Sequence, residues 1–297
     1  MAEKISLNSN LISDFAPQRP ENGHKTTFGT ALICAGSEFM TGAAVMATGS
    51  ALRSGTGLVK VFSDEKTLTA VSCNEPCALL DLRPSGTAEL LRKAASLCSK
   101  STAVLIGSGI PGDYDNLEAL TSLFIEKAAS IVLDAGALNG KPDVLSRLTA
   151  LLKERTVPAV ITPHVGEFAR LTGLTNQGVA ANAESLALKF AQDNNVVVVL
   201  KSSRTVIATP DGQVFINDAA NSGLAKGGSG DILAGLLTGF LAQGMEPYKA
   251  ACSAVFIHSV AGEAAAEDLG KRSMLPTDLE FYFRDAFREA GWESEDE

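Results

Sequence analysis

The sequence is poor in histidine and has no clustered cysteines, and both shortages argue against common kinds of site. With only His24, His164 and His258, a histidine-rich zinc centre is not expected. The five cysteines form an odd-numbered set without a Cys-x-x-Cys pair, so the sequence predicts neither a disulfide framework nor a redox motif. Most of them lie in apolar segments, where a thiol is an ordinary core residue, and this indicates a reducing, cytoplasmic setting.

Positive charge and long apolar runs are also scarce. The chain has 25 Lys and Arg against 34 Asp and Glu, a formal net charge of -9. Surfaces that bind nucleic acid or anionic membranes need clustered basic residues, so neither partner is expected. No apolar run approaches the length of a membrane span, and the first residues lack the apolar core of a signal peptide. Any phosphate-containing ligand must therefore be held by a local site.

What the sequence does have is a regular alternation of short apolar runs and helical patterns. Its 297 residues, 45% of them hydrophobic, are enough for one large domain. Continuous apolar strands separated by helices predict an α/β fold, in which helices cover both faces of a mostly parallel central sheet. Residues 205–208 and 213–216 predict an antiparallel hairpin at the edge of this sheet. We expect residues 1–28 to form an irregular lead-in and residues 291–297 an acidic tail of this single domain.

The segment from Asn221 to Asp231 is the most informative stretch. Gly227, Gly228 and Gly230 allow positive φ angles and let several N–H groups point at one anion. The apolar helix predicted from Ile232 adds the positive end of its dipole at the same place. Asp231 puts a carboxylate beside this anion site, as expected of a base that accepts a proton from an incoming group. The alternative is that Asp231 is only a helix N-cap.

Three other polar stretches follow predicted strands, at the edge where open α/β sheets bind ligands. They are Asp134, His164 with Glu167, and the turn of Lys201, Ser202, Ser203, Arg204 and Thr205. Two cations and three hydroxyls at a strand end suit a phosphate. Each stretch also has a purely structural interpretation as a cap, a loop histidine or a solvated turn.

Residues 107–112 match Gly-x-Gly-x-x-Gly, with a predicted strand before them and a helix after them. The pattern meets the sequence requirements of a dinucleotide-binding Rossmann turn. It follows several strands instead of opening a nucleotide-binding half, and Pro111 stiffens the turn. A Rossmann site, a structural turn and a turn that contacts another ligand at the strand ends all remain open.

Together these stretches resemble the ribokinase-like superfamily and, within it, the NAD(P)H-hydrate dehydratase family. The resemblance rests on His24-Lys25, residues 36–37 with 40–44, residues 51–55 with 57–59, residues 133–135, Thr162-Pro163-His164 with 166–167, residues 200–201 and, most specifically, residues 221–231. Gly136 stands where the family often has a second Asp. Ser108 and Ser222 stand where Pro is common.

The resemblance implies that the chain dehydrates the S-epimer of hydrated NADH or NADPH, with hydrolysis of ADP to AMP or of ATP to ADP and with Mg²⁺. Asp231 would be the base, and the hydrated dinucleotide would contact Ala43, Gly109, His164 and Asp231. The adenine nucleotide would contact Lys201, Ser202, Ser203, Arg204, Thr205 and Gly230. Glu167 would organise magnesium through water, with no direct metal ligand assigned.

The resemblance also implies a homo-oligomer such as a tetramer and a functional link to a separate epimerase protein. Two alternatives stay open: a vitamin-precursor kinase of the same superfamily and a non-catalytic nucleotide-binding module.

Overall fold

A computed structural model describes residues 4–294 and builds them around one ten-stranded sheet. Its strands are β1 (Lys4–Ser6), β2 (Thr30–Cys34), β3 (Leu58–Ser63), β4 (Leu79–Leu82), β5 (Ala103–Ile106), β6 (Ser130–Leu133), β7 (Ala159–Ile161), β8 (Val196–Leu200), β9 (Thr205–Ala208) and β10 (Val214–Asn217). Their order across the sheet is β1-β10-β9-β8-β7-β6-β5-β2-β3-β4. Neighbouring strands pair in parallel, except that β9 is antiparallel to β8 and β10. The predicted mostly parallel sheet is confirmed.

Helices cover both faces of the sheet, as predicted. They are α1 (Ser9–Ser13), α2 (Thr41–Arg53), α3 (Glu65–Asn74), α4 (Thr87–Cys98), α5 (Leu117–Lys127), α6 (Pro142–Lys153), α7 (Val165–Thr172), α8 (Asn176–Ala181), α9 (Ala183–Asn194), α10 (Ser229–Ala242), α11 (Pro247–Leu269) and α12 (Phe283–Glu289). Alternate strand residues enter two separate cores: Ile33 packs with residues of α2, α10 and α11, and Leu32 with residues of α4, α5 and α9. Both side chains are fully buried, which is why these strands are apolar without a break.

The lead-in differs from the irregular segment that the sequence predicts. Its residues Lys4 to Ser6 form β1, which pairs in parallel with β10 and is the outermost strand on that side. The following helix, α1, is capped by Asn8, whose side chain accepts a hydrogen bond from the Leu11 amide. The antiparallel hairpin of β9 and β10 therefore lies one strand inside the edge. Of the predicted acidic tail, residues 295–297 lie outside the described residues.

Close packing of α2 on α10 fixes the helix that follows the glycine-rich segment. A Cβ atom on Gly235 would lie 2.1 Å from the Ala47 carbonyl oxygen, and one on Gly239 would lie 2.0 Å from Ser54 Oγ. Only glycine lets the two helix backbones approach so closely. The small residues of α2 thus serve helix packing over most of its length. No helix within residues 4–294 is both long and apolar enough to cross a membrane.

Candidate active site

A cavity of about 940 Å³ opens where the carboxyl ends of β6, β7 and β8 face the N-terminus of α10. This volume lies within the range of small-molecule sites. Of the residues predicted for the site, those that line the cavity are Asp134, His164, Glu167, Lys201, Ser202, Ser203, Thr205, Gly230 and Asp231. Ala43, Gly109 and Arg204 are not among its lining residues. The structure thus brings four separated stretches of sequence to one place.

The glycine loop, residues 221–228, is held in shape by hydrogen bonds of Asn221 and Lys226. Asn221 accepts a hydrogen bond from the Gly223 amide and donates to the Gly262 carbonyl at 2.7 Å. The Lys226 ammonium donates to the carbonyls of Arg272 and Met274. A lysine so engaged fixes the loop and is not a free cation for a ligand.

The loop ends at Gly228, which is the N-cap of α10 and has a φ of 108°. This backbone conformation favours glycine, and any other residue here would also have to displace the end of the Met46 side chain, which would lie 2.5 Å from its Cβ atom. The first-turn N–H groups of a helix have no intrahelical acceptors. Lys201 Nζ lies 3.2 Å from where a Gly230 Cβ would be. An ammonium and helix N–H groups therefore share one anion-binding position.

Asp231 occupies the third position of α10, so it is not the N-cap that the alternative interpretation required. Burial and, to a smaller extent, the charge of Asp134 raise the pKa of its carboxyl to about 7, although Lys201 and Ser108 act in the opposite direction. A carboxyl with a pKa near neutrality can accept and release a proton at physiological pH. Its position beside the anion site suits a general base.

Asp134 is the centre of a buried network behind Asp231. Its Oδ2 accepts from Ser108 Oγ at 2.7 Å, and its Oδ1 accepts from Thr162 Oγ1 at 2.7 Å and from Lys201 Nζ at 3.0 Å. The residue is only 2% exposed. Although burial lowers the pKa of Lys201, the carboxylates of Asp134 and Glu167 outweigh burial and raise it above its ordinary value. Lys201 therefore stays charged next to the cavity.

His164 and Glu167 form a capping box at the start of α7. His164 Nδ1 accepts from the Gly166 amide at 2.9 Å, and Glu167 Oε2 accepts from the His164 amide at 2.9 Å. Since Nδ1 accepts, the neutral ring carries its proton on Nε2, which lies 3.4 Å from Glu167 Oε1. The imidazole is 55% exposed and lines the cavity, so it caps the helix and can also contact a ligand.

The turn after β8 meets the prediction only in part. Ser202 Oγ donates to the Arg204 carbonyl and accepts from the Arg204 amide, which closes the turn. The Arg204 guanidinium pairs with Glu184 at 2.5 Å and lies 3.7 Å from Asp218. Its charge is already neutralised, so the structure does not bring Arg204 to the anion site as the sequence suggested.

Ala43 and Gly109 lie against each other, and neither lines the cavity. A Cβ atom on Gly109 would lie 2.5 Å from Ala43 Cβ and 2.9 Å from the Met40 carbonyl. Gly109 has a φ of 66°. The turn of residues 107–112 does not open a helix, because α5 begins only at Leu117. The Rossmann interpretation is wrong, since that motif places the pyrophosphate on a helix N-terminus directly after the glycines.

Some residues of the site have no clear signal in the sequence. His258 of α11 is 9% exposed, and its Nε2 lies 3.0 Å from the Ser229 carbonyl oxygen. Burial lowers the pKa of His258 to about 4, so the ring is neutral. Its only signal in the sequence is a polar residue within an apolar helix. Ser108 and Thr162 are buried hydroxyls whose shared partner, Asp134, becomes visible only in the fold.

The carboxylates around the cavity do not form a direct metal site. Among the described residues, no group of three or more His, Cys, Asp or Glu side chains could hold a metal ion. Asp134 accepts three hydrogen bonds, and Glu167 accepts from the His164 amide and from Asn139. Asp134 and Glu167 are thus occupied by protein donors.

Comparison with known proteins identifies the family. The family model described as NAD(P)H-hydrate dehydratase matches residues 31–284. An ADP-dependent (S)-NAD(P)H-hydrate dehydratase of Bacillus subtilis is 32% identical over 89% of this chain and 90% of its own length. A bifunctional NAD(P)H-hydrate repair enzyme of Moorella thermoacetica is 35% identical over 89% of this chain, which spans only 50% of that relative's length.

Solved structures agree with the sequence comparison. The crystal structure of the ADP/ATP-dependent NAD(P)H-hydrate dehydratase of Bacillus subtilis, co-crystallised with ATP/Mg²⁺, superposes with a TM-score of 0.86 at 30% identity and covers 96% of this chain and 98% of its own. A ribokinase-like superfamily protein of Enterococcus faecalis superposes with a TM-score of 0.80 at 26% identity, over 98% of this chain and 97% of its own. The chain therefore has the ribokinase-like fold and belongs to the NAD(P)H-hydrate dehydratase family.

Proposed function

We propose that the protein dehydrates the S-epimer of hydrated NADH or NADPH, using ADP or ATP as the phosphoryl donor, and so repairs damaged nicotinamide cofactors. The observation that carries the proposal is Asp231, a carboxyl with a pKa of about 7 in the first turn of α10, beside Lys201 and the helix N–H groups. Family membership and the substrate named for the Bacillus subtilis relative supply the substrate class.

The chemistry begins with a poor leaving group. Hydroxide leaves carbon 6 of the hydrated ring with difficulty, so the hydroxyl must first be activated. Asp231 takes the hydroxyl proton, and the oxygen attacks the terminal phosphoryl group of the nucleotide. The N–H groups of residues 228–230 and the Lys201 ammonium stabilise the charge that develops on the transferred phosphoryl group. AMP leaves when ADP is the donor, and ADP when ATP is the donor.

Elimination then restores the cofactor. The lone pair of the ring nitrogen expels phosphate from carbon 6, and loss of a proton from carbon 5 forms the ring double bond. The overall products are NADH or NADPH, phosphate and the shortened nucleotide. Water is lost from the dinucleotide and its elements appear in the hydrolysed nucleotide.

The site divides between the two substrates. The nucleotide occupies the cavity against Gly230 and the turn of Lys201, Ser202, Ser203 and Thr205, and it enters as its magnesium complex because Asp134 and Glu167 are already occupied by protein donors. Arg204 contributes through the backbone of this turn, since its side chain pairs with Glu184. The hydrated dinucleotide lies against Ala43, Gly109 and His164.

The exposed edge of the sheet and the free cysteines bear on how the protein assembles and where it works. Leu79, Leu80 and Leu82 are 46%, 41% and 49% exposed on β4, an outermost strand of the described sheet. An exposed apolar edge favours pairing with another strand, which supports a homo-oligomer such as a tetramer. A separate epimerase protein would supply the S-epimer. The five free cysteines support a cytoplasmic enzyme.

The decisive experiment supplies hydrated NADH with ADP or ATP and magnesium and follows the absorbance of reduced nicotinamide. We expect the absorbance to recover only when nucleotide is present, with one phosphate released per ring restored. Recovery without nucleotide would contradict the mechanism. A phosphate ester as the final product would identify a kinase, and nucleotide binding without phosphate release would identify a binding module.

A further inference from the structure

Arg83 comes directly after β4, and its side chain is only 7% exposed. Its Nη2 donates to the Gly36 carbonyl at 2.9 Å and lies 3.4 Å from both Ser63 Oγ and Asp64 Oδ2. Its Cζ is 5.5 Å from the centre of the Tyr114 ring, within the range of a cation–π contact. Since β2, β3, β4 and β5 run in parallel, one guanidinium joins the segments at all four of their carboxyl ends.

Gly36 connects Arg83 to the surface proposed for the hydrated dinucleotide. Its amide donates to the Ser108 carbonyl at 2.8 Å, and its Cα would lie 3.2 Å from a Cβ atom on Gly109. The same Cβ atom would lie 2.5 Å from Ala43 Cβ. The turn that Arg83 holds therefore packs directly against both residues of the proposed surface.

The backbone at Gly36 is flexible by residue type. With a φ of 77° and no Cβ atom, it has access to more conformations than any other residue would have. Because a peptide group is planar, the bond from Arg83 fixes the plane of the peptide between Gly36 and Ser37. Ser63 Oγ holds the preceding peptide by donating to the Ala35 carbonyl at 2.6 Å. Two side chains from neighbouring strand ends thus set the course of residues 35–37.

We infer that Arg83 is a positioning residue for the hydrated dinucleotide: its guanidinium holds the turn of residues 35–40 against Gly109, so that the surface with Ala43 has its binding shape before the substrate arrives. This inference rests on the proposed function, because it assigns Arg83 to the binding of the same substrate. Arg83 does not line the nucleotide cavity. Its loss should therefore weaken binding of the dinucleotide and leave binding of the nucleotide unchanged.

Arg155 offers a matched control at the opposite edge of the sheet. Its Nη2 donates to the carbonyls of Ala128 at 3.0 Å and Ala129 at 2.9 Å, and its Nε donates to the Val157 carbonyl at 3.0 Å. Like Arg83, it ties backbone segments together, but these segments lead into the amino ends of β6 and β7. Substitution of either arginine removes hydrogen bonds to the backbone, and only Arg83 contacts the turn beside the proposed surface.

The test is steady-state kinetics with hydrated NADH and ADP for the wild type, Arg83→Met, Arg83→Lys and Arg155→Met, with melting temperatures measured alongside. Arg83→Met should raise the KM for the hydrate roughly tenfold, the effect of losing one hydrogen bond from a charged donor, while kcat and the KM for ADP change by less than about twofold. Arg83→Lys keeps the charge and one donor, so its KM for the hydrate should rise only about threefold. Arg155→Met should lower the melting temperature and leave both KM values within about twofold of the wild type.

The outcomes distinguish a role in binding from a merely structural one. Equal rises of both KM values in Arg83→Met, or the same pattern in Arg155→Met, would overturn the inference and leave Arg83 a structural residue. An unchanged KM for the hydrate in Arg83→Met would overturn it without touching the proposed function. If the wild type itself restores no cofactor with nucleotide present, the proposed function is wrong and the inference falls with it. If Arg83→Met does not fold, Arg83→Lys decides, and a KM for the hydrate equal to that of the wild type would overturn the inference.

Discussion

The Lys201 ammonium lies 3.0 Å from Asp134 Oδ1, and this ion pair joins the ends of β8 and β6 across β7. The Asp134 side chain is 3% exposed and the Lys201 side chain 21% exposed. The pair thus places a cation directly beside a buried carboxylate, and the same cation lines the cavity.

Lys201→Met should destabilise the protein strongly, because Asp134 would remain buried without its cation. We expect a loss of about 3–5 kcal/mol in the free energy of unfolding, measured by urea denaturation, together with weaker nucleotide binding. Lys201→Met combined with Asp134→Asn should recover most of the stability. The exposed pair of Lys189 and Asp193 provides the control, since Lys189→Met should change stability by less than about 1 kcal/mol. Equal losses for both lysines would argue against the buried pair.

Asp231→Asn should abolish the base without disturbing a helix cap, because Gly228 occupies the N-cap position. Turnover should fall by roughly 10²–10⁴-fold, and the wild-type rate should rise with pH through about 7 as Asp231 ionises. The check is steady-state kinetics at saturating nucleotide. A variant that keeps more than about half its turnover would remove Asp231 from the mechanism.

The raised pKa of Asp231 also predicts how the stability of the folded protein depends on pH. Its folded pKa of about 7 is above the ordinary value of 3.8, so the folded state binds the proton more tightly than the unfolded state. The stabilisation from Asp231 is therefore fully present below pH 3.8 and is lost as the pH rises through 7. Thermal melts should show Asp231→Asn gaining stability over the wild type at pH 8, and little or no gain at pH 4.

His164 has two roles that different substitutions can separate. Asn is a good N-cap, so His164→Asn should keep α7 stable while losing the imidazole, whereas His164→Ala should also cost about 1 kcal/mol of stability. Both variants should raise the KM for the hydrated dinucleotide more than the KM for ADP. Full recovery of both constants in the Asn variant would show that the ring serves only as a cap.

Gly109→Ala tests the surface proposed for the dinucleotide. The new Cβ would collide with Ala43 and would strain a φ of 66°, so we expect the KM for the hydrate to rise at least tenfold while nucleotide affinity changes little. Gly173→Ala is a matched control, because Gly173 has a φ of 70° and no atom within 4 Å of the new Cβ. Both variants should lose about 1–2 kcal/mol of stability from backbone strain. Equal kinetic effects in the two variants would place the dinucleotide elsewhere.

Strands were easiest to predict from the sequence where both faces of the sheet are buried, because such strands are apolar without a break. β8, with the sequence Val-Val-Val-Val-Leu, is fully buried and is one of the continuous apolar strands from which the parallel sheet was predicted. β1 was missed because two of its three residues are exposed and the segment carries no periodicity, and only pairing with β10 makes it a strand. Tertiary hydrogen bonds, not local propensity, define that element.

The sequence indicated which strand ends contribute to the site, but not which of their side chains form hydrogen bonds and ion pairs with one another. The glycine loop and Asp231 were recognised because clustered glycines before a helix, followed by a carboxylate, form a local sequence pattern that is typical of an anion site with a base. The ion pair of Arg204 could not be predicted, because its partner Glu184 comes from α9. The roles of Ser108 and Thr162 depend on Asp134, 26 and 28 residues away in sequence, and no local pattern encodes that contact.

The burial of α10 sets the dynamics expected of the site. Each residue of this helix except Gly230 and Asp231 is buried. Amide hydrogens in the middle of α10 can therefore exchange with solvent only when the surrounding core opens. In its first turn, the Ser229 amide donates to the Lys226 carbonyl, whereas the amides of Gly230 and Asp231 have no intrahelical acceptors and should exchange from the native state. A nucleotide phosphate should slow exchange in that first turn alone. The amides proposed to bind the phosphate thus belong to a helix whose other amides should exchange slowly with solvent. Binding therefore does not require the helix to become ordered.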